Sequence, residues 1–152
     1  YVYLKTPEPG GTADGIQRKI MWVQDIRGTA NYSFFITSDA ANGVIPLRFS
    51  TNGNVQVPAF SFWNIGTLNY NQWYCLELEV QLNTPGSSDG AVRFWVNGTQ
   101  VLNQTGVNIR GSFTTGAGVI SFGRQADRTN YNPVNEYRYW NDMVISTSYV
   151  GP

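Results

Sequence analysis

The sequence predicts an all-β fold, in which two antiparallel sheets pack face to face as a sandwich or jelly roll. Three observations carry this. Apolar and polar residues alternate with period two along most of the chain, and no segment keeps a helical period over three turns. Turn signals rich in Asn, Gly and Pro recur at short spacing. Parallel strands would need long crossovers, usually helices, which the pattern lacks. At 152 residues the chain suits one domain, since folds of this size bury about 68–70% of the surface their unfolded chain exposes. Residues 1–152 are therefore read as a single β-sandwich domain. The chain starts at Tyr1 without Met, directly in strand-like "YVYLK", and is read as a processed or partial product.

Nine strands are expected. Tyr1–Lys5 alternates and is closed by "PEPGGTADG". Arg18–Gln24 ends at "DIRGTAN", Tyr32–Ser38 at "SDAANG", and Val44–Ser50 at "STNGN". Val55–Phe62 follows, then Trp73–Leu82, which runs into "NTPGSSDG". Ala91–Asn97 ends at "VNGTQ", Gly118–Gly123 precedes "DRTNYNP", and Tyr137–Ser146 closes the fold. Asn52-Gly53 and Asn97-Gly98 both read as tight hairpin turns, because Asn and Gly accept the positive φ that such turns need.

Composition narrows the function. Ten basic residues balance ten acidic ones, so there is no basic excess to support nucleic acid or an anionic membrane as partner. No apolar run approaches the roughly 20 residues that cross a bilayer as a helix, so no membrane insertion is expected. The chain has no His, which removes the usual general base, the usual metal ligand and every Ser-His or Cys-His pairing. Its single Cys, Cys75, excludes an intrachain disulfide and reads as a partly buried strand residue. Charged residues make up 13% and aromatics 14%. Asn, Gln, Ser and Thr fill the difference, as in extracellular, lectin-like or virion proteins.

The most informative segment is the hairpin "CLELEVQL…AVRFWVNG". Tyr74, Leu76, Leu78, Val80 and Leu82 share one face of the first strand; Cys75, Glu77, Glu79 and Gln81 share the other. In the second strand Val92, Phe94 and Val96 oppose Arg93, Trp95 and Asn97. The apolar faces must meet a second sheet, which leaves the Glu and Trp face outside the core. A regular hairpin places Glu79 opposite Arg93 and Glu77 opposite Trp95, whereas a slip of one residue would set Leu against Arg. Glu77 and Glu79 stand roughly 6.5–7 Å apart at the backbone, inside the carboxyl separations of about 5–9.5 Å used by glycosidases. Against catalysis, Arg93 favours Glu79 as the carboxylate, the reverse of a general acid. A cross-strand ion pair is the simpler reading of Glu79.

The block from Trp73 through "NTPGSSDG" to "FWVNG" is similar to the central hairpin of concanavalin A-like lectin/glucanase sandwiches. Within them it most resembles the jelly-roll branch that includes polysaccharide-lyase-like and heparin-lyase-like domains. The tail "YWNDMVISTSYVGP" is similar to that group's closing strand. The resemblance implies a two-sheet jelly roll whose concave face binds extended polysaccharide. Glucanases of this kind carry their acids as Glu-x-Asp-x-Glu on one strand. Here only Glu77 and Glu79 stand in register, with Gln81 next, so that pattern is broken. Lyases of this kind use a Tyr helped by His, or by amide and Arg groups. His is absent, and nothing singles out one of the nine Tyr residues.

Glu77, Glu79, Arg93 and Trp95 are therefore the candidate ligand-binding residues, and no residue is assigned a catalytic role. Trp95 offers a flat ring for the apolar face of a sugar, while Glu77 and Glu79 accept hydroxyl hydrogen bonds. Arg93 fixes Glu79 or meets an acidic sugar. Trp22, Trp63, Tyr139 and Arg48 are lesser candidates, and Trp73 reads as a structural plug at a strand start. The resemblance also raises a Ca²⁺ site at Asp142, since such sandwiches often hold one near the chain ends; a single acid falls short of the six to eight oxygens calcium takes. Sequons occur at Asn31, Asn97 and Asn103.

The expected function is a non-catalytic carbohydrate-recognition module on a cell, secreted protein or virion surface, with a polysaccharide or cell-surface glycan as partner. Two alternatives stand beside it. One is a structural subunit of a virion or extracellular filament, which implies a homo-oligomer or larger assembly. The other is a fragment of a polysaccharide lyase or glycoside hydrolase.

Overall fold

The computed structural model describes residues 1–4, 17–25, 32–39, 44–53, 63–114, 116–122, 138–148 and 150–151. Eleven strands form among them, without a helix: β1 (Val2–Leu4), β2 (Gln17–Asp25), β3 (Tyr32–Asp39), β4 (Val44–Gly53), β5 (Trp63–Asn69), β6 (Trp73–Tyr74), β7 (Leu76–Gln81), β8 (Gly90–Val96), β9 (Thr99–Val107), β10 (Ala117–Phe122) and β11 (Arg138–Trp140). Every pairing is antiparallel. The order β10-β2-β3-β4-β5 makes one sheet, β11-β1-β6 a second, and β7-β8-β9 a third.

Only Cys75 separates β6 from β7, and its geometry joins the two smaller sheets. The Asn97 backbone N–H donates to the Cys75 carbonyl at 2.8 Å, and the Cys75 N–H donates to Asn97 Oδ1 at 2.8 Å. Cys75 thus turns both backbone groups toward β8. Neighbouring residues of a strand point their backbone groups to opposite edges, so Tyr74 faces away from β8, toward its partner Val2. β1 and β8 flank segment 73–81 on opposite edges. The strands β11, β1, β6–β7, β8 and β9 follow one another across a single layer.

That layer packs on the five-stranded sheet through one core. Val2 and Tyr74 contribute from the first part of the layer, and Val92, Phe94, Leu102 and Val107 from the second. Ile20, Met21, Val23, Leu47, Ile65 and Leu68 come from the opposing sheet. Leu76, Leu78, Val80 and Leu82 pack against this cluster, so the even-numbered side of segment 73–82 faces inward, as the alternation predicts. Phe122 of β10 meets Trp140 of β11 edge-on, ring centroids 5.6 Å apart. The all-β sandwich expected from the period-two pattern is the fold observed.

Individual elements differ from expectation. Asn97 and Gly98 have φ of 49° and 75° and link β8 to β9 in two residues, a type I′ hairpin turn. Asn52-Gly53 is not a turn; both residues stay in β4, paired with Ser33 and Tyr32. Two strands, β5 and β9, were not expected. The segment expected as Tyr137–Ser146 is a strand only over Arg138–Trp140, and residues 141–148 are exposed. The expected strand Val55–Phe62 lies outside the described residues.

Two devices fix the turn end of the β7–β8 hairpin. Asn83 is fully buried. Its Oδ1 accepts from the N–H groups of Ile109 and Arg110, both at 2.8 Å, and its Nδ2 donates to the carbonyls of Thr84 at 2.8 Å and Gly111 at 3.3 Å. The Arg110 Nε donates to the Asn83 carbonyl at 2.7 Å. Gly90 supplies the close approach: a Cβ there would sit 2.7 Å from the Val107 carbonyl oxygen and 2.9 Å from that of Gln81.

Candidate functional site

The register pairs Glu79 with Arg93 and Glu77 with Trp95, the arrangement that the alternation required. Both pairs lie on the outer face, because Leu76, Leu78, Val92 and Phe94 occupy the core side. β9 adds a third column, setting Asn103 beside Arg93. Arg93 Nη1 forms an ion pair with Glu79 Oε1, and Arg93 Nε donates to Asn103 Oδ1 at 3.2 Å. The guanidinium is thereby clamped between two strands. Side-chain exposures of 25% for Arg93 and 42% for Glu79 leave the pair in reach of water, where such pairs contribute about 0–1 kcal/mol. Its consequence is orientation more than stability.

Glu77 is in a different state. Its Oε1 is closed to solvent and takes no hydrogen bond. Burying a carboxylate oxygen without a donor is unfavourable, so this oxygen is a cost of the packing beside the half-buried Trp95 and is not open to a ligand. Cys75 is next on the same face, half-buried and not in a disulfide. Burial pushes its thiol above the ordinary value, and the Glu77 carboxylate pushes it the same way. A protonated thiol is a poor nucleophile. Nothing here equips Cys75 for chemistry.

Asp142 is not with these residues. It follows β11 on the far side of β1, is exposed, and has φ of 50°. Asp tolerates that left-handed conformation, and its Oδ2 accepts from Asn141 Nδ2 at 2.9 Å. Among the described residues no three acid, His or Cys side chains are grouped to hold a metal. The described residues around Asp142 thus form no acid cluster with it and fall short of the oxygen set calcium takes.

Of the remaining aromatics, Trp22 is half-buried in β2, and the side chains of Trp63 and Arg48 lie outside the described ones. Trp73 departs from its expected role as a plug: it is 47% exposed. Three paired strands place it in a row with two tyrosines, since Tyr3 pairs with Tyr139 on one side and with Trp73 on the other. The pattern in "YVY" assigns Tyr1 and Tyr3 to one face, but their partners lie some seventy and more residues away. That distance hid the row from sequence reasoning.

The outer face thus carries clamped polar groups on β7, β8 and β9 and exposed rings on β11 and β6. The family model described as polysaccharide lyase 14 matches residues 9–137. The chain belongs to that family. Polysaccharide lyase 14 is a jelly-roll family related to the concanavalin A-like superfamily, in accord with the sandwich seen here. No curated protein and no solved structure matches the chain. The matched span of this polysaccharide lyase 14 domain holds β2 through β10, and so Glu77, Glu79, Arg93 and Trp95. Its function is carbohydrate-related. Tyr3 and Tyr139 lie outside the matched span.

Proposed function

We propose that this domain binds an extended polysaccharide on the outer face of β7, β8 and β9 without cleaving it, as a recognition module displayed on a secreted protein, cell or virion surface. One observation carries the reading: Trp95 stands on the outer face beside a clamped Glu79–Arg93–Asn103 triplet. An indole ring covers the apolar face of a pyranose, while carboxylate and amide groups take its hydroxyls. Cleavage by β-elimination needs a base at the sugar ring. The chain has no His, and β7, β8 and β9 contain no Tyr. Arg93, the group suited to neutralising a uronate, is already held by Glu79 and Asn103.

The test is electrophoresis of wild type and Trp95→Ala through gels containing polysaccharide, with thermal melts to confirm folding. Retardation of wild type that Trp95→Ala loses supports the reading; a folded wild type that no polysaccharide retards overturns it. Membership of a lyase family favours a second reading, cleavage. Incubation with polyuronates then generates unsaturated ends that absorb in the ultraviolet, and their appearance would replace the first reading with the second.

A further inference from the structure

The row Tyr139–Tyr3–Trp73 crosses β11, β1 and β6 on the outer side of the layer. The inner row of the same strands is Trp140–Val2–Tyr74, of which Val2 and Tyr74 belong to the core. Tyr139 and Trp73 are each 47% exposed. The Tyr3 ring lies 5.4 Å from Trp73 and 5.8 Å from Tyr139, in tilted and edge-on contact. These contacts hold the three rings in fixed orientation, which lowers the cost of ordering them on a ligand. These cross-strand contacts add to the pairing of the strands and still leave the Tyr139 and Trp73 rings open to solvent.

Continuity with the Trp95 cluster says what covers it. Along segment 73–81, Trp73, Cys75, Glu77, Glu79 and Gln81 alternate on one face, since the even residues pack inward. The row and the cluster therefore share one outer surface. From β11 to β9 there are five strand positions, and the four steps of about 4.8 Å between them give a track roughly 19 Å wide. A polysaccharide laid along the track presents apolar ring faces to the three rings and hydroxyls to the Glu79–Arg93–Asn103 group.

We infer that Tyr139, Tyr3 and Trp73 form a second sugar-stacking site, continuous with the Trp95 cluster, and that the two together bind one extended polysaccharide. This rests on the binding reading above. The row contributes affinity only to chains long enough to span both sites, whereas a disaccharide occupies one.

The test compares wild type, Trp73→Ala, Trp73→Phe, Tyr139→Ala and Trp95→Ala, each confirmed as folded by its melt. Gels contain laminarin, galactomannan or alginate, and soluble disaccharides compete. Expected are retardation of wild type by at least one of these polymers, a loss of roughly three- to tenfold in affinity for Trp73→Ala and Tyr139→Ala, and near-complete recovery in Trp73→Phe. If the row variants bind like wild type while Trp95→Ala fails, the second site is overturned and the first stands. If the row variants fail while Trp95→Ala binds, the β7–β9 reading is overturned and the row stands. A wild type that no gel retards, yet whose assemblies in light scattering dissociate on Trp73→Ala, makes the row a protein contact and overturns both.

Discussion

Asn83 shows how much one residue can decide. It is fully buried at the end of β7 and satisfies two N–H groups and two carbonyls through its side chain. Asn83→Ala strands the Ile109 and Arg110 N–H groups, and an unsatisfied buried donor costs about 1–3 kcal/mol. We expect Asn83→Ala to lower stability by about 2–4 kcal/mol in denaturant titration, with Asn83→Asp only partly restoring it because the oxygen that replaces Nδ2 then faces the Thr84 and Gly111 carbonyls. Asp89 acts at the other end of the same loop. It accepts from the Thr84 hydroxyl and N–H, each at 2.6 Å, and these bonds hold its carboxyl below the usual carboxylate range. A group whose folded value is depressed stabilises the fold above its unfolded value, and that contribution is lost as pH falls through the folded value. Wild type should therefore lose stability through the acidic range faster than Asp89→Asn; parallel melting curves for the two across that range would refute the assignment. The outer-face placement of Glu77, Glu79, Arg93 and Trp95 was readable from sequence, because a period-two strand with one apolar side has only one acceptable register. The partner of Arg93 on its other side, Asn103, was not, since it belongs to a strand whose sequence does not announce itself.

That strand, β9, explains why some elements are legible and others are not. β8 carries Val92, Phe94 and Val96 in strict alternation, whereas β9 reads "TQVLNQTGV" and bulges opposite β8, between the pairs Phe94–Leu102 and Trp95–Gln100. The bulge shifts the period, so the local pattern is lost. The signal that could have found β9 is the turn before it: a two-residue type I′ turn at Asn97-Gly98 exists only if a strand returns. β5, "WNIGTLN", fails for a similar reason, with Gly66 at φ of 142° where its register to β4 shifts. Asn52-Gly53 errs in the opposite direction, as turn propensity is local and pairing with Tyr32 and Ser33 overrides it. Gly90 gives the element-scale prediction. Gly90→Ala drives a methyl into two carbonyl oxygens and the Asn83 nitrogen, all backbone atoms within 3.0 Å, and neither neighbouring strand can move without breaking its ladder. The expected loss is about 1–3 kcal/mol, read as a lower denaturant midpoint with unchanged slope; a neutral result would mean that β7 and β9 approach less closely here.

For the molecule as a whole, the sandwich makes neighbours in sequence answer to different demands. Phe94 and Trp95 are adjacent, yet Phe94 is fully buried between Leu78 and Leu102, while Trp95 faces outward beside Glu77. Phe94 joins the core formed by both layers, so its truncation leaves a cavity that neither sheet can close alone. Phe94→Ala should cost about 3–5 kcal/mol, a large part of the 5–15 kcal/mol typical of a domain. At about 2–4 °C per kcal/mol for a chain of this size, its melting temperature should fall by roughly 6–20 °C. Trp95→Ala should melt within a few degrees of wild type and lose polysaccharide retardation, while Phe94→Ala, at a temperature where it is still folded, should keep it. The pair separates core from site along one strand. Equal destabilisation by both substitutions would place Trp95 in the packing of the layer and remove the ring on which the binding face depends.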